Sequence, residues 1–461
     1  MKFHWSTLRI YERLIVWLGQ KLSRNQFILF SAVLVGLSAG IAAIVLKTAV
    51  HYVRRLIILF AEYDWQNMAY LLGPLVGIVS TVAYIKYGLK GDSEKGVASV
   101  LYAIKKKFSL VTPHKMYSQL ISSSITVGLG GSAGLESPIV VTGAAIGSNY
   151  GRVYRLIHKE RTLMLACGAA AGIAAVFNAP VAGVIFALEA IMTEATISAF
   201  IPIIIASVSG ALVSMIVLNE EILFSYKEAL LFDYHNVPLY ILFSVLTGFM
   251  SVNYGRMAWK INLWNQKADN KPWWRAVRGG LFLAVLIFIF PTLFGEGYES
   301  ITELMEGNAE DLYDSSVFAR FINESWAVLL FIGLTGFVKV LATSITVSSG
   351  GNGGNFAPSL FVGAYIGFFF SRAINMLGIA EVNETNFVIA GMAGLLSGIM
   401  YTPLTGIFLI AELTGGYDLM IPIMLVSAVS YAIARSFERY PVDKRALMES
   451  LSKEENEADQ S

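Results

Sequence analysis

Charged residues are scarce in this chain. Of its 461 residues, 15% are charged and 55% are hydrophobic, whereas a soluble domain has about 25% charged residues. The charges nearly balance, with a formal net charge of +1 at pH 7, so the composition does not suggest a nucleic acid partner. The low charge content argues against a soluble globular protein.

Cysteine and histidine are rare as well. The single cysteine, Cys167, cannot form an internal disulfide, and its setting in ACGAAAG is typical of close helix packing. The five histidines lie at or near the ends of apolar segments, and neither an HExxH motif nor a paired intramembrane aspartate is present. The sequence therefore predicts no metal, no cofactor and no enzyme activity.

Long charge-free windows recur along the chain, and each could cross a hydrocarbon core, which needs about 20 apolar residues. Alternating polar and apolar strand patterns are not seen, so the sequence predicts an all-α integral membrane protein rather than a β-barrel. The windows are Asn25–Leu46, Trp65–Ile85, Thr162–Leu188, Ala195–Asn219, Asn236–Gly255, Val340–Ser371 and Thr385–Ala411.

The window Val340–Ser371 is too long for a single span. It has 32 residues and contains six glycines, a pattern that predicts two part-length helices joined by irregular backbone. Irregular backbone at membrane depth is tolerated only where protein or a wet cavity surrounds it.

An internal repeat relates residues 124–147 to residues 344–367. Twelve of the 24 aligned positions are identical at an offset of 220. The repeat continues at an offset of 223, where Gly168, Pro180, Gly183 and Glu189 match Gly391, Pro403, Gly406 and Glu412. Gly-broken apolar segments at corresponding positions of two halves indicate the solute site of a transporter.

The repeat predicts two membrane halves, residues 27–217 and 238–436, joined by a polar and aromatic connection at 218–237. Residues 1–26 are expected to be a cytoplasmic or interfacial segment, because Lys and Arg precede the first span. Residues 437–461 are expected to be a short cytoplasmic tail, too short for appended regulatory domains. We expect a multi-pass protein of a bacterial plasma membrane with both termini in the cytoplasm.

Proline is well suited to the first turn of a helix, where its missing N–H would be unpaired anyway. Pro138, Pro180, Pro358 and Pro403 thus mark four predicted helix starts.

Two of these predicted helix starts, Gly134–Pro138 and Gly354–Pro358, occupy equivalent places in the two halves. A helix N-terminus attracts anions through its unpaired N–H groups and its dipole, and glycines let the backbone approach an ion closely. If the halves face each other across the bilayer midplane, both positive ends point at one spot. The simplest solute for that spot is a small anion.

Glu136 in the first loop stands where the second loop has Phe356. A carboxylate inside a long apolar stretch is costly and is a functional candidate. Glu136 can occupy the anion site as a tethered competitor, or be protonated and swing away, which makes it a gate that couples the pathway to protons. The alternative is a salt-bridged structural glutamate, but no Lys or Arg lies nearby in sequence.

The motifs GLESP (134–138), GNFAP (354–358), FNAPVAG (177–183) and PLTGIFLIAELTGGYDLMIPIM (403–424) together resemble the CLC chloride channels and chloride/proton antiporters. The resemblance covers residues from about 30 to 440. It implies a homodimer with one pore in each subunit, and about 18 tilted, partly broken helices in two inverted structural repeats. It also implies that helices after Pro180 and around 195–217 and 403–430 form the dimer contact.

The resemblance also assigns site residues. Glu136 would be the gating glutamate, and the backbone N–H groups of the two loops would hold anions. The implied anion-binding residues are Gly134, Leu135 and Ser137 in the first loop and Gly354, Asn355, Phe356 and Ala357 in the second.

The chain departs from the family in and near these loops. Leu135 stands where the family commonly has Arg or Lys, and Ser137 stands where it commonly has Gly. The missing cation at position 135 removes one source of attraction for anions. A loop of the family supplies a side-chain hydroxyl to the anion, and the corresponding stretch here is GDSEKGVASV (91–100). It places Lys95, just before Gly96, at the position of that hydroxyl, although Lys95 could instead point to water. Ser93 is a less favoured substitute.

Further departures concern the inner end of the pathway. Asp443 fits the position of a family tyrosine, with Tyr440 three residues earlier as a second candidate or an interfacial anchor. Ala190 replaces an inner proton-relay glutamate of the antiporters. Glu189 is then a possible proton-pathway residue, although its repeat partner Glu412 favours a structural role for both.

The leading hypothesis is transport of small inorganic anions, chiefly chloride, that is channel-like or weakly proton-coupled. A tightly coupled chloride/proton antiporter and a variant selective for fluoride or nitrate stay open. A cation-coupled amino acid transporter would need polar or acidic side chains at both loops, whereas the second loop offers only Asn352, Asn355 and Phe356. The expected partners are chloride and other small anions, protons, the lipid membrane and a second copy of the chain.

Overall fold

The structure is a computed structural model, and it describes residues 21–61, 66–91, 96–192, 197–219, 224, 232–268, 271–310, 312, 325–415 and 417–449. These residues are mostly α-helical, and the only β-pairing among them is one isolated bridge. The helices are α1 Arg24–Ala61, α2 Gln66–Ala83, α3 Gly96–Lys106, α4 Lys115–Gly128, α5 Glu136–Val153, α6 His158–Phe177, α7 Pro180–Phe186, α8 Ile197–Leu218, α9 Val237–Ala268, α10 Pro272–Ile289, α11 Tyr298–Met305, α12 Ser325–Ser348, α13 Phe356–Met376, α14 Glu384–Met400, α15 Pro403–Leu413 and α16 Met420–Phe437.

Helix length and composition confirm the prediction of an all-α membrane protein. Within the described part of the chain, nine helices are long and apolar enough to cross a membrane. Others are shorter apolar helices, such as α14 and α15. Lengths this uneven are typical of a protein whose helices are tilted or interrupted within the bilayer.

The interruption predicted in Val340–Ser371 is confirmed, but the two helices beside it are not part-length, since they have 24 and 21 residues and both are long enough to cross a membrane. Helix α12 ends at Ser348, α13 begins at Phe356, and residues 349–355 between them are not helical. Each of the four marked prolines lies within the first three residues of a helix, namely α5, α7, α13 or α15.

Contacts between Cα atoms divide the chain into two compact units. The first comprises Met1–Ile44, Ser99–Tyr117 and Ile139–Asn219. Its core is the Ala- and Gly-rich helix α6, which is buried from Met164 to Phe177. A Cβ added at Gly143 of α5 would overlap the carbonyl of Gly168 in α6, so the two backbones touch. Small residues therefore make this close crossing possible.

The second unit comprises Val45–Ala98, Ser118–Pro138 and Glu220–Ser461. Its helices α13 and α14 cross at Gly363 and Gly391, where an added Cβ would overlap the other helix's carbonyl. These glycines are the repeat partners of Gly143 and Gly168, so the same crossing occurs once in each unit. The sequence boundaries 27–217 and 238–436 differ from these contact units and stay a prediction.

Candidate functional site

The two repeated loops meet at Gly134 and Gly354, both in the second unit. The N–H of Gly134 donates to the carbonyl of Gly354 at 3.0 Å, and the N–H of Gly354 donates to the carbonyl of Gly134 at 2.9 Å. Gly134 and Gly354 are equivalent positions of the repeat, and the bridge is antiparallel. A local two-fold axis therefore passes between the loops.

A reciprocal pair of threonine contacts supports the bridge. The Thr346 hydroxyl oxygen accepts the N–H of Ser132 at 3.2 Å, and the Thr126 hydroxyl oxygen accepts the N–H of Asn352 at 3.0 Å. Thr126 and Thr346 are repeat partners, as are Ser132 and Asn352. The shared residues of the two copies thus hold each other in place.

Glycine is required where the loops touch. A Cβ at Gly354 would lie 2.6 Å from the Cβ of Ser137, and a Cβ at Gly134 would lie 3.0 Å from the backbone nitrogen of Ala357. Ser137 and Ala357 are themselves repeat partners. Any larger residue would push the two helix N-termini apart, so the glycines allow α5 and α13 to begin close to one spot.

Glu136 is the first residue of α5, and its side chain turns back over this junction. It is 1% exposed, and a Cβ at Gly134 would overlap its Oε2 atom. The hydroxyl of Tyr298 donates to Oε1. The carboxylate also interacts with the backbone N–H of Ala357 in the second loop, although Oε2 has no well-formed hydrogen bond to any described residue. The carboxylate therefore sits where the two helix ends converge.

A second polar arrangement fixes Asn355, the N-cap of α13. The hydroxyl of Tyr254 donates to its Oδ1 at 3.1 Å, and its Nδ2 donates to Asp443 Oδ1 at 2.5 Å. Phe356 and Ala357, which follow it, are 2% and 0% exposed. The second loop thus has a fixed backbone and an asparagine side chain held from both ends.

A cavity of about 220 Å³ opens beside the loops. The cavity is therefore large enough to hold several waters, or an ion with part of its hydration shell. Glu136 is not among its lining residues. Those that bear on the site are Gly96, Ser137, Gly354, Asn355, Asp443 and Arg445.

The structure brings some predicted residues to this cavity and not others. Gly96 is there, with φ +72° and the position of its missing Cβ 3.5 Å from the Ser137 hydroxyl oxygen. Asp443 lines the cavity and accepts a hydrogen bond from the Asn355 side chain. Tyr440, the second candidate, does not line the cavity. Tyr440 instead lines another cleft, of about 10 Å³. The guanidinium of Arg439 lies over the Tyr440 ring.

The remaining predicted residues are Lys95, Ser93 and Glu189. Lys95 and Ser93 lie outside the described residues. Glu189 belongs to the first unit, in a π-helical turn from Ala187 to Ile191 that follows α7. A π-turn of this kind is often found at functional sites, but Glu189 stays a predicted proton-pathway residue only.

Sequence reasoning missed several residues of the site. Tyr298 and Tyr254 are separated from their partners by 162 and 101 positions, and no local pattern marks them. Lys339 carried a signal, because it interrupts the apolar run GLTGFVKVLATS. Its buried ammonium donates to the carbonyl of Gly295 at 3.0 Å and interacts with the charge of Glu296, which in turn interacts with the charge of Glu136.

A family model described as "Voltage gated chloride channel" matches residues 76–435. The H(+)/Cl(-) exchange transporter ClcA of Vibrio campbellii is 27% identical over 442 residues, covering 92% of this chain and 90% of that protein.

Solved structures are similar as well. A slow cyanobacterial Cl-/H+ antiporter matches with a TM-score of 0.80 and 22% identity, over 94% of this chain and 99% of its own. A CLC-type fluoride/proton antiporter matches with a TM-score of 0.75 and 19% identity, over 92% and 100% of the two chains. At these identities the likeness concerns the fold.

Proposed function

Because this chain belongs to the family of voltage-gated chloride channels and their CLC relatives, we propose that it transports small inorganic anions, chiefly chloride, with Glu136 as a protonatable gate. One observation carries the proposal. The buried carboxylate of Glu136 occupies the junction of two helix N-termini, which is where backbone N–H groups and helix dipoles favour an anion.

The proposed anion seat is the N-terminus of α13, formed by the backbone N–H groups of Asn355, Phe356 and Ala357. An anion there meets N–H donors but no full positive charge from the loop itself, so it can bind and still leave. In the ionised state the Glu136 carboxylate competes for the Ala357 N–H. Protonation weakens that competition and lets an external anion enter.

We propose channel-like or weakly coupled transport, supported by Ala190, which offers no carboxylate for an inner proton relay. Tightly coupled chloride/proton exchange is the second candidate, because relatives such as the Vibrio campbellii protein are named exchange transporters. A different physiological anion is the third, since one structural neighbour is a fluoride/proton antiporter.

The proposed assembly is a homodimer in a lipid membrane, with both termini cytoplasmic. Support comes from α8, one of the predicted dimer helices, which exposes Ile201, Ile204, Val208 and Leu212 at helical spacing. Cross-linking in membranes tests the dimer, and labelling of cysteines introduced in the connection tests the orientation.

Chloride efflux from proteoliposomes tests the central proposal. The purified chain should release trapped chloride at a rate well above that of protein-free vesicles when potassium and valinomycin balance the charge. No efflux above the protein-free rate would overturn the proposal. A chloride gradient that drives protons uphill would select coupled exchange over channel-like flux, and competition by fluoride or nitrate would identify a different preferred anion.

A further inference from the structure

We infer that Asp443 is a second protonatable gate, which controls the anion seat from the cavity as Glu136 does from the junction of the loops. The inference rests on the proposed anion transport and adds a residue to it. The Oδ1 atom of Asp443 accepts a hydrogen bond at 2.5 Å from Nδ2 of Asn355, the N-cap residue of α13.

The other carboxylate oxygen of Asp443 is unsatisfied. Its Oδ2 atom is buried and has no hydrogen-bond partner within the described part of the chain. Asp443 lines the cavity beside the loops together with Asn355 and Gly354. A buried carboxylate oxygen without a donor is costly. This cost falls if Oδ2 binds a proton or if the Asp443 side chain moves out of this position.

Two basic residues, Lys444 and Arg445, follow Asp443 in the chain. Arg445 also lines the cavity, but its guanidinium pairs with Glu438 and Glu449, each at 3.0 Å. Lys444, the next residue in the chain, interacts electrostatically with Asp443.

Two further groups face Asp443. The charge of Glu136 interacts with it unfavourably, and the phenol of Tyr254 lies on the far side of the Asn355 amide. Two carboxylates therefore contact the loop that forms the proposed seat, Glu136 at the Ala357 N–H and Asp443 at the Asn355 side chain.

Protonation changes what Asp443 offers to an anion. The ionised carboxylate is an acceptor and repels chloride, whereas the neutral acid has one O–H donor. We propose that a proton from cavity water binds Oδ2 and that chloride then accepts the O–H together with the N–H groups of the second loop. When chloride leaves, the proton returns to water, and no covalent bond to chloride forms.

This mechanism predicts that chloride binding takes up a proton even when Glu136 cannot. The experiment is calorimetry of chloride binding to purified Glu136→Gln protein at about pH 6, between the ordinary carboxyl pKa and neutral conditions, in two buffers of different ionisation enthalpy. The expected result is proton uptake in Glu136→Gln and none in Glu136→Gln/Asp443→Asn. Removing the negative charge should also tighten chloride binding by at least about tenfold.

The matched control is Glu136→Gln/Asp233→Asn, since Asp233 is an exposed carboxylate paired with His235 at 2.8 Å. It should retain the proton uptake. Equal proton uptake in Glu136→Gln and in Glu136→Gln/Asp443→Asn, or no uptake in Glu136→Gln, would overturn the role of Asp443. If the protein with Asp443→Asn is not monodisperse, Asp443→Ser replaces it under the same criterion.

Chloride efflux by the unmodified chain in the same preparation separates the two proposals. Efflux without Asp443-dependent proton uptake rejects only the second gate. Absence of efflux rejects the proposed function itself.

Discussion

Replacing Tyr298 with phenylalanine removes the side-chain donor that holds Glu136 Oε1. Phenylalanine keeps the ring and its edge contact with Phe224, whose centroid lies 5.9 Å away. The substitution therefore changes one hydroxyl and little of the packing. It tests whether the gate is held in place by this hydrogen bond.

The size of the effect follows from the loss of one hydrogen bond to a charged group, which is worth about 1.5–3 kcal/mol. The bond is strongest when the carboxylate is ionised and seated over Gly134, and it is weaker when Glu136 is protonated or displaced. Its loss favours the protonated or displaced form by about 10- to 150-fold, because 1.4 kcal/mol corresponds to a factor of about ten. Protonation should then open the pathway at a pH about 1–2 units higher.

The assay is chloride efflux from proteoliposomes as a function of pH. Tyr298→Phe should give faster efflux at neutral pH and a pH profile displaced upward relative to the unmodified chain. Tyr401→Phe is the control, because its hydroxyl donates to the carbonyls of Ala434 and Glu438 rather than to the site. Superimposable profiles for Tyr298→Phe and the unmodified chain would refute the reasoning.

Two further substitutions test the loop junction. Gly354→Ala places a Cβ 2.6 Å from the Ser137 Cβ, and overpacking of this kind costs about 1–3 kcal/mol; chloride efflux should fall at least several-fold, and efflux equal to that of the unmodified chain would contradict the close contact. Asn352→Ala removes donors to Gln119 Oε1 at 2.9 Å and Ser122 Oγ at 2.6 Å. The substitution should lower the thermal unfolding temperature in detergent, since each lost buried hydrogen bond costs about 1–3 kcal/mol. An unchanged melting curve would show that these side-chain hydrogen bonds do not stabilise the second loop.

Much of the fold could be predicted from the sequence, because membrane helices and their breaks depend on local composition. The glycines and prolines of 124–147 and 344–367 located both interrupted segments and the starts of α5 and α13. The equivalence of Gly134 and Gly354 even pointed to a common meeting place. The structure adds that the backbones of these two residues are hydrogen-bonded directly to each other.

The side-chain partners could not be predicted in the same way. Tyr298 contacts Glu136 and Tyr254 contacts Asn355, although each pair is far apart in the chain. No local sequence pattern marks such contacts, so a single sequence does not reveal them. Alignment of RYPVDKRAL (residues 439–447) placed Asp443 at the position of a family tyrosine, with Tyr440 three residues earlier. Only the three-dimensional path of residues 438–445 puts Asp443 in the cavity and Tyr440 in another cleft.

The most direct test of the gate is chloride efflux by Glu136→Gln across a range of pH. Glutamine keeps the size of the side chain but cannot ionise, so the account predicts efflux that loses most of its dependence on pH. The part contributed by Asp443 should remain in Glu136→Gln and disappear in Glu136→Gln/Asp443→Asn. If Glu136→Gln leaves both the rate of chloride efflux and its pH profile unchanged, Glu136 is not the gate.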